Sequence, residues 1–217
     1  MKVAAMFNFE SNSKCLDFLN TEVVEKNRVV DQITDYDGLI KWLHQARFLT
    51  EFQAAMVHQK WTETPAGEEI FLAAKDLRGL IREVAEKIVA GRKLPLPLID
   101  EINRLLRRRK GYTQLMQDEN VFWLQRQIDL EEEPLNLIIP IVESLCRLLT
   151  EGDPSRLRRC ENPDCIHYFY DISKNRTRRW CSMRLCGNRI KAAAHYRRRK
   201  EKDNRRYERT GADQTRT

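Results

Sequence analysis

Four of the chain's six cysteines lie close together near the C-terminus, with the spacing Cys160-x4-Cys165-x15-Cys181-x4-Cys186. Two pairs of thiols, separated by the length of a hairpin, are typical of a single tetrahedral zinc site. Four protein ligands leave no coordination position for a reacting water, so the pattern indicates a structural ion rather than a catalytic one. Iron in the same site, two disulfides and simple burial of the thiols are the alternatives that the spacing leaves open.

The rest of the sequence favours metal over disulfides. The N-terminal stretch lacks the apolar segment of a secretory signal, and the chain has no run of 18 apolar residues that would span a membrane. We therefore expect a cytoplasmic location without membrane contact, where thiols stay reduced. A segment as short as the cysteine cluster needs metal binding, worth about 10 kcal/mol or more, to fold. Cys15 and Cys146 lie among helical apolar residues and are predicted to belong to the core.

Charge is distributed unevenly along the chain. Residues 154–217 contain 19 Lys and Arg against 7 Asp and Glu, whereas residues 1–153 contain 20 against 25. A mildly acidic body therefore carries a strongly basic C-terminal part. This asymmetry predicts a polyanionic partner, and we expect nucleic acid.

A basic helix is predicted after the second cysteine pair, with Ser182 as its cap. Its polar face, at three- and four-residue steps, contains Arg184, Asn188, Lys191, His195, Arg198 and Arg199. Together with Arg178, Arg179 and Arg189, these residues are our candidates for nucleic-acid binding. Arg184 and Asn188, near the start of the helix, are candidates for base edges. For Asn188, which follows Cys-Gly directly, the alternative is that it caps or braces the metal loop. The alternatives are that the cations offset the negative charge of a zinc–thiolate centre or form a solvated face.

The body is predicted to be mainly helical, with one β-hairpin at residues 111–129. Its apolar stripes recur at helical spacing, and the segments that they predict begin at residues 14, 36, 51, 65, 94 and 134. The first of these helices is expected to cover residues 14–28. Residues 150–156 have the Gly and Pro of a linker, and "IHYFYD" has the composition of a strand.

No catalytic motif is found in the sequence. It contains no phosphate-binding Gly-rich loop, no nucleophile elbow and no HExxH, so we expect no enzyme activity and no catalytic residue. Asp17, Asn20 and Thr21 are the one polar group of interest in the body. Helix-end hydrogen bonding in the core is the favoured interpretation, and a small-molecule site is the alternative.

The cysteine segment resembles the CGNR zinc finger, whose name stands here as Cys186-Gly187-Asn188-Arg189. Further matching positions are Cys160, Cys165, Phe169, Asp171, Ser173, Asn175, Arg178, Arg179, Trp180, Cys181, Ser182, Met183 and Lys191. The body resembles the ABATE domain of stress-induced transcription regulators, with its "LDF-x-NT" signature at residues 16–21. The resemblance implies that the four cysteines bind zinc and that the finger binds DNA in a bacterial transcription regulator.

The expected protein is mainly α: a helical body with one hairpin, then a small treble-clef-like finger formed by a hairpin and a basic helix. We expect a sensing or dimerisation domain at 1–152, the finger at 153–200 and a disordered basic tail at 201–217. The expected partner is duplex DNA; a homodimer and an unidentified small-molecule effector are left open. The alternative function is an RNA-binding or protein-docking zinc module.

Overall fold

The computed structural model describes residues 7–118, 121–130 and 132–213. The described residues form seven α-helices and three two-stranded antiparallel sheets. The helices are α1 (Lys14–Leu19), α2 (Tyr36–Gln45), α3 (Glu51–Trp61), α4 (Pro65–Val89), α5 (Leu96–Arg107), α6 (Ile139–Thr150) and α7 (Asn188–Asp213). The strands are β1 (Glu22–Glu25), β2 (Arg28–Asp31), β3 (Gly111–Asp118), β4 (Val121–Ile128), β5 (Leu157–Arg159) and β6 (Tyr168–Tyr170). The fold is therefore mainly α, as predicted.

Three N-caps start the helices of the body. The side chains of Asp35, Thr50 and Thr64 each accept a hydrogen bond from the backbone N–H three residues further on, at 2.7, 3.2 and 3.1 Å. These bonds satisfy N–H groups that have no partner inside a helix, so α2, α3 and α4 begin where the sequence predicts. The described helices include none long and apolar enough to cross a membrane.

The predicted first helix is too long. A single helix over 14–28 is wrong, because α1 ends at Leu19 and a hairpin of β1 and β2 follows. Lys26 and Asn27 both have positive φ, at 49° and 63°, which is the geometry of a two-residue hairpin turn. The β-branched valines on either side pair across the two strands and favour extended backbone. The body therefore has one hairpin more than the sequence predicts, and β5 and β6 form a hairpin in the finger, where one is expected.

The core of the body is built around α1, which contacts both α4 and α6. Phe18 of α1 meets the fully buried Trp42 of α2 edge-on, with ring centroids 4.9 Å apart. Cys15 is fully buried, as predicted, and burial raises the pKa of its thiol to about 11. Cys146 of α6 is partly buried against the same core.

A buried arginine ties the β1–β2 hairpin to the long helix α4. Arg78 is 2% exposed, and its guanidinium donates to Thr21 Oγ1 and Asp31 Oδ1, both at 2.7 Å. Arg82, one turn further along α4, pairs with Glu22 of β1. Since a buried guanidinium is costly without partners, these contacts hold the hairpin in one position on α4.

The cysteine-bearing segment is docked onto this body through β6. The Asn20 side chain donates to Tyr168 O at 2.8 Å and accepts from Tyr168 N at 2.9 Å, as a neighbouring strand would. The backbone N–H of Tyr170 donates to Ser11 O at 2.8 Å. Leu157 and Tyr168 lie in the same apolar cluster as the body. Strands β5 and β6 therefore contribute side chains to the core of the body, whereas the cysteines and Phe169 form a second cluster of their own.

The "LDF-x-NT" signature accounts for this docking. Asp17 accepts hydrogen bonds from both the backbone N and the Oγ of Ser11, at 3.0 and 2.7 Å. Burial raises the pKa of Asp17, and the hydrogen bonds from Ser11 oppose that shift. Asn20 holds β6, and Thr21 accepts from Arg78. These contacts agree with the favoured interpretation of hydrogen bonding at the helix end.

We expect Asn20→Ala to lower the free energy of unfolding by about 2–4 kcal/mol, because it leaves the N–H and C=O of Tyr168 buried without partners. Urea unfolding followed by tryptophan fluorescence would measure the change. Asn103→Ala, an exposed amide on α5, is the matched control and should not destabilise the protein. An unfolding energy equal to that of the wild type in Asn20→Ala would contradict the docking role.

Candidate metal centre and nucleic-acid interface

The four cysteines of the finger converge on one point. All four residues are buried, and their Sγ atoms lie within 4.8 Å of one another. Cys181 Sγ is 3.7 Å from the Sγ atoms of both Cys165 and Cys186. A tetrahedral ion with zinc–sulfur bonds of about 2.3 Å requires sulfur–sulfur distances of about 3.8 Å. The donor set and its spacing therefore fit zinc.

The first cysteine pair is held by a tight backbone loop. Cys160 N donates to His167 O at 2.9 Å, and Cys165 N donates to Asn162 O at 3.0 Å. The fully extended strands β5 and β6 on either side bring this loop back onto the body. The loop brings its two sulfurs together, and the second half of the finger supports it, since Glu161 N donates to Arg179 O at 3.0 Å and Cys181 N donates to Cys160 Sγ at 3.4 Å.

The second pair is shaped by a π-helical turn at Met183–Gly187. Ser182 begins this turn, with its Oγ accepting from Leu185 N at 3.3 Å and its carbonyl accepting from Gly187 N at 3.0 Å. Cys181 lies just before the cap, and the turn places Cys186 so that its Sγ is 3.7 Å from the Sγ of Cys181. The predicted cap at Ser182 is confirmed, and α7 continues directly from the π turn.

The four sulfurs influence one another's protonation. Hydrogen bonds from the Cys165 thiol, and then from Cys181 and Cys186, lower the pKa of Cys160. The pKa of Cys181 is raised, first because its thiol donates to Cys160. Four negative charges cannot gather this closely without a cation, and zinc removes all four protons when it binds.

Asn162 is a functional residue that the sequence reasoning missed. It is 1% exposed, donates from Nδ2 to Cys186 Sγ at 3.3 Å and accepts from Asp164 N at Oδ1. It therefore links the loop of the first cysteine pair to a sulfur of the second. The Asn162-Pro163 dipeptide, which is typical of a turn, is the signal in the sequence that points to it.

Arg178, a candidate for nucleic-acid binding, has its guanidinium engaged inside the protein. Its Nε donates to Trp180 O at 2.9 Å, and its Nη2 donates to Cys181 O and, at 2.8 Å, to Glu10 O. The guanidinium carbon also lies 4.4 Å from the centre of the Phe169 ring. The side chain thus braces the backbone beside a zinc ligand and joins the finger to the N-terminal segment.

Two further candidates for nucleic-acid binding lie beside carboxylates. Arg179 Nε is 2.5 Å from Glu161 Oε2, and Arg184 Nε is 3.9 Å from Glu10 Oε1. Both arginines remain exposed, so water screens these pairs and each contributes little stability. The sequence predicts that Arg184 lies on one continuous helix with the other cations. In the structure it belongs to the π turn before α7, so it does not share the face of that helix in the predicted way.

The remaining candidates are exposed on the first turns of α7. They are Asn188, Arg189, Lys191, His195, Arg198 and Arg199, and the exposed residues Arg197 and Lys200 add to them. Ile190 and Ala194 lie on the half-buried side of the helix. The backbone of α7 continues to Asp213, into the segment for which the sequence predicts a disordered tail, because its Glu, Lys and Arg residues favour helix.

A hairpin, four converging cysteines and a following helix define this part of the chain as a treble-clef-like zinc finger. The CGNR zinc finger model matches residues 156–199. The model of the ABATE family, described as "putative stress-induced transcription regulator", matches residues 12–152, and the chain belongs to this family. No curated protein matches the chain.

Cys181→Ser should reduce the zinc content from one ion per chain to a small fraction, because three thiolates bind zinc much more weakly than four. Elemental analysis of the purified protein would measure this. Cys146→Ser removes a thiol from α6 and serves as the control, which should retain one zinc. A wild-type protein without zinc, or with the four thiols oxidised to disulfides, would contradict the metal assignment.

Asn162→Ala should weaken zinc binding by about 10- to 100-fold, because the hydrogen bond that orients Cys186 is lost. Competition with a chromophoric chelator would measure the affinity. The control Asn175→Ala changes an exposed amide in the turn between the two cysteine pairs and should leave zinc affinity unchanged. Equal affinities in the two variants would show that Asn162 does not support the site.

Proposed function

We propose that this protein is a transcription regulator that binds duplex DNA through α7 and its zinc finger. The observation that carries the proposal is the exposed cationic surface of α7, which begins directly at the metal centre. We call the exposed residues 188–200 of α7 the basic face. Zinc fixes the start of the helix, so the basic face is presented in a defined orientation. A single α-helix fits the major groove of DNA.

Different residues of the proposed interface contact phosphates and bases. Lys191, Arg198 and Arg199 are proposed to contact phosphates, which bind without regard to sequence. Arg184 in the π turn and Asn188 at the start of the helix are proposed to reach base edges, since guanidinium and amide groups match guanine and adenine. The engaged guanidinium of Arg178 supports a structural role instead, so this residue is not included in the proposed interface.

The body is proposed to regulate the finger rather than to catalyse a reaction. We keep the division into a sensing or dimerisation domain at 1–152, the finger at 153–200 and a basic C-terminal segment at 201–217. Four thiolates saturate the metal, which supports a structural ion without catalytic residues. Reduced cysteines support a cytoplasmic protein. An effector would act through the contacts of Asn20 and Arg178, because these join the body to the finger.

Binding to duplex DNA should have a log–log salt dependence with a slope of about −4 to −5, as expected for roughly five neutralised phosphates. Arg198→Ala should weaken binding to all duplexes about equally and flatten the slope by about one unit. Fluorescence anisotropy across a salt series would measure both values. Arg107→Ala, an exposed arginine on α5, is the control and should leave the slope unchanged.

Competition with single-stranded RNA and with heparin separates DNA binding from the alternative functions. Preferential displacement by RNA would favour an RNA-binding module, in which exposed Tyr196 would offer a ring for stacking. A salt slope near zero would overturn nucleic-acid binding altogether and would favour a zinc module that docks onto another protein.

A further inference from the structure

The β3–β4 hairpin extends from the body as an arm. Its eight cross-strand pairs run from Gly111 and Ile128 to Asp118 and Val121. The buried Asn136 side chain anchors its base, accepting from Lys110 N and donating to Lys110 O, both at 3.1 Å. Among the described elements, the two strands pack extensively only against each other.

The arm exposes apolar side chains to solvent. Tyr112 and Leu115 on β3 and Val121 on β4 are 60%, 68% and 65% exposed. Strand β3 contains one charged residue, Asp118 at its end, in a chain that is 33% charged. Soluble proteins usually protect a free strand edge with charges, proline or a covering element, because an apolar edge pairs with other strands. β3 lacks such protection along seven of its eight residues.

A two-stranded sheet is marginally stable by itself, and three or more strands are needed for an independent structure. In the described part of the chain, β3 pairs with β4 and with no third strand. The arm therefore has both the hydrogen-bonding groups and the apolar side chains to accept a further strand.

We propose that β3 is a dimerisation edge, which pairs antiparallel with β3 of a second copy of this chain. Two identical strands related by a two-fold axis run antiparallel, so the hairpins of two copies form one four-stranded sheet. With the axis at Leu115, the two Leu115 residues face each other directly, and Asp118 of each copy lies opposite Tyr112 of the other. No like charges then meet across the new edge, and the two Leu115 side chains lie next to the axis.

This self-complementarity favours a second copy over an unrelated partner. A partner of strong charge would gain nothing from a neutral edge, whereas a copy of β3 matches its length and its lack of charge. The inference does not rest on DNA binding, since the dimer is expected without DNA. If the protein both dimerises and binds DNA, the dimer presents two copies of α7, which would bind a DNA site with two-fold symmetry.

Sedimentation velocity of the zinc-loaded protein without DNA tests the proposal. The wild type is expected to sediment with about twice the chain mass of 25.8 kDa. Leu115→Lys should raise the dimer dissociation constant by about a hundredfold, because each dimer loses two apolar contacts and brings two lysines together. Leu96→Lys on α5, where the leucine is 73% exposed, is the matched control and should leave the dimer intact.

Circular dichroism and zinc content of both variants would confirm that they fold, as expected for substitutions at exposed positions. A monomeric wild type at all concentrations would overturn the proposal. Equal dissociation constants for Leu115→Lys and the wild type, or dissociation of Leu96→Lys as well, would place any dimer interface elsewhere and would overturn it too. Salt-dependent DNA binding by a monomeric protein would leave the proposed function standing while this inference failed.

Discussion

The convergence of four thiolates on one metal ion is the constraint on which the functional half of the protein depends. Few apolar residues are buried around the cysteines, so this cluster cannot supply the folding free energy of the finger alone. The metal requires sulfur–sulfur distances of about 3.8 Å, and the tight loop of the first pair and the π turn of the second satisfy that requirement. The metal site therefore also sets the direction of α7, because the helix begins at the end of the π turn.

The finger is supported from its other side by the body. Asn20 completes the hydrogen bonding of β6, and Arg178 joins the loop before Cys181 to Glu10. Hydrogen bonds between these side chains and backbone groups fix the orientation of the finger as well as stabilising it, since each bond can form in only one arrangement. A change in the body at α1 or at the N-terminal segment would therefore reach the metal loop and the start of α7 directly.

The arginines of the finger form two groups with different environments. Arg178 is held by carbonyl oxygens and an aromatic ring, and Arg179 and Arg184 lie beside carboxylates. The cations of the basic face are exposed on a helix whose other side is half-buried, with Lys191 Nζ 5.9 Å from the centre of the Trp180 ring. The two groups are not distinguished by residue type or by charge counting. Only their positions relative to Glu10, Glu161 and Phe169 separate them.

The sequence by itself determined the metal site, the helix caps and the charge asymmetry. Cysteine spacing, Ser, Thr and Asp at helix starts and an excess of Lys and Arg act locally, so they can be recognised without tertiary structure. Tertiary structure decided the β1–β2 hairpin, whose valines also fit a helical stripe. It also decided the role of Asn162, which lies beside a sulfur far along the chain, and the docking role of Asn20. These roles depend on contacts between residues distant in sequence, and no local pattern of residue types specifies which distant backbone group an amide will meet.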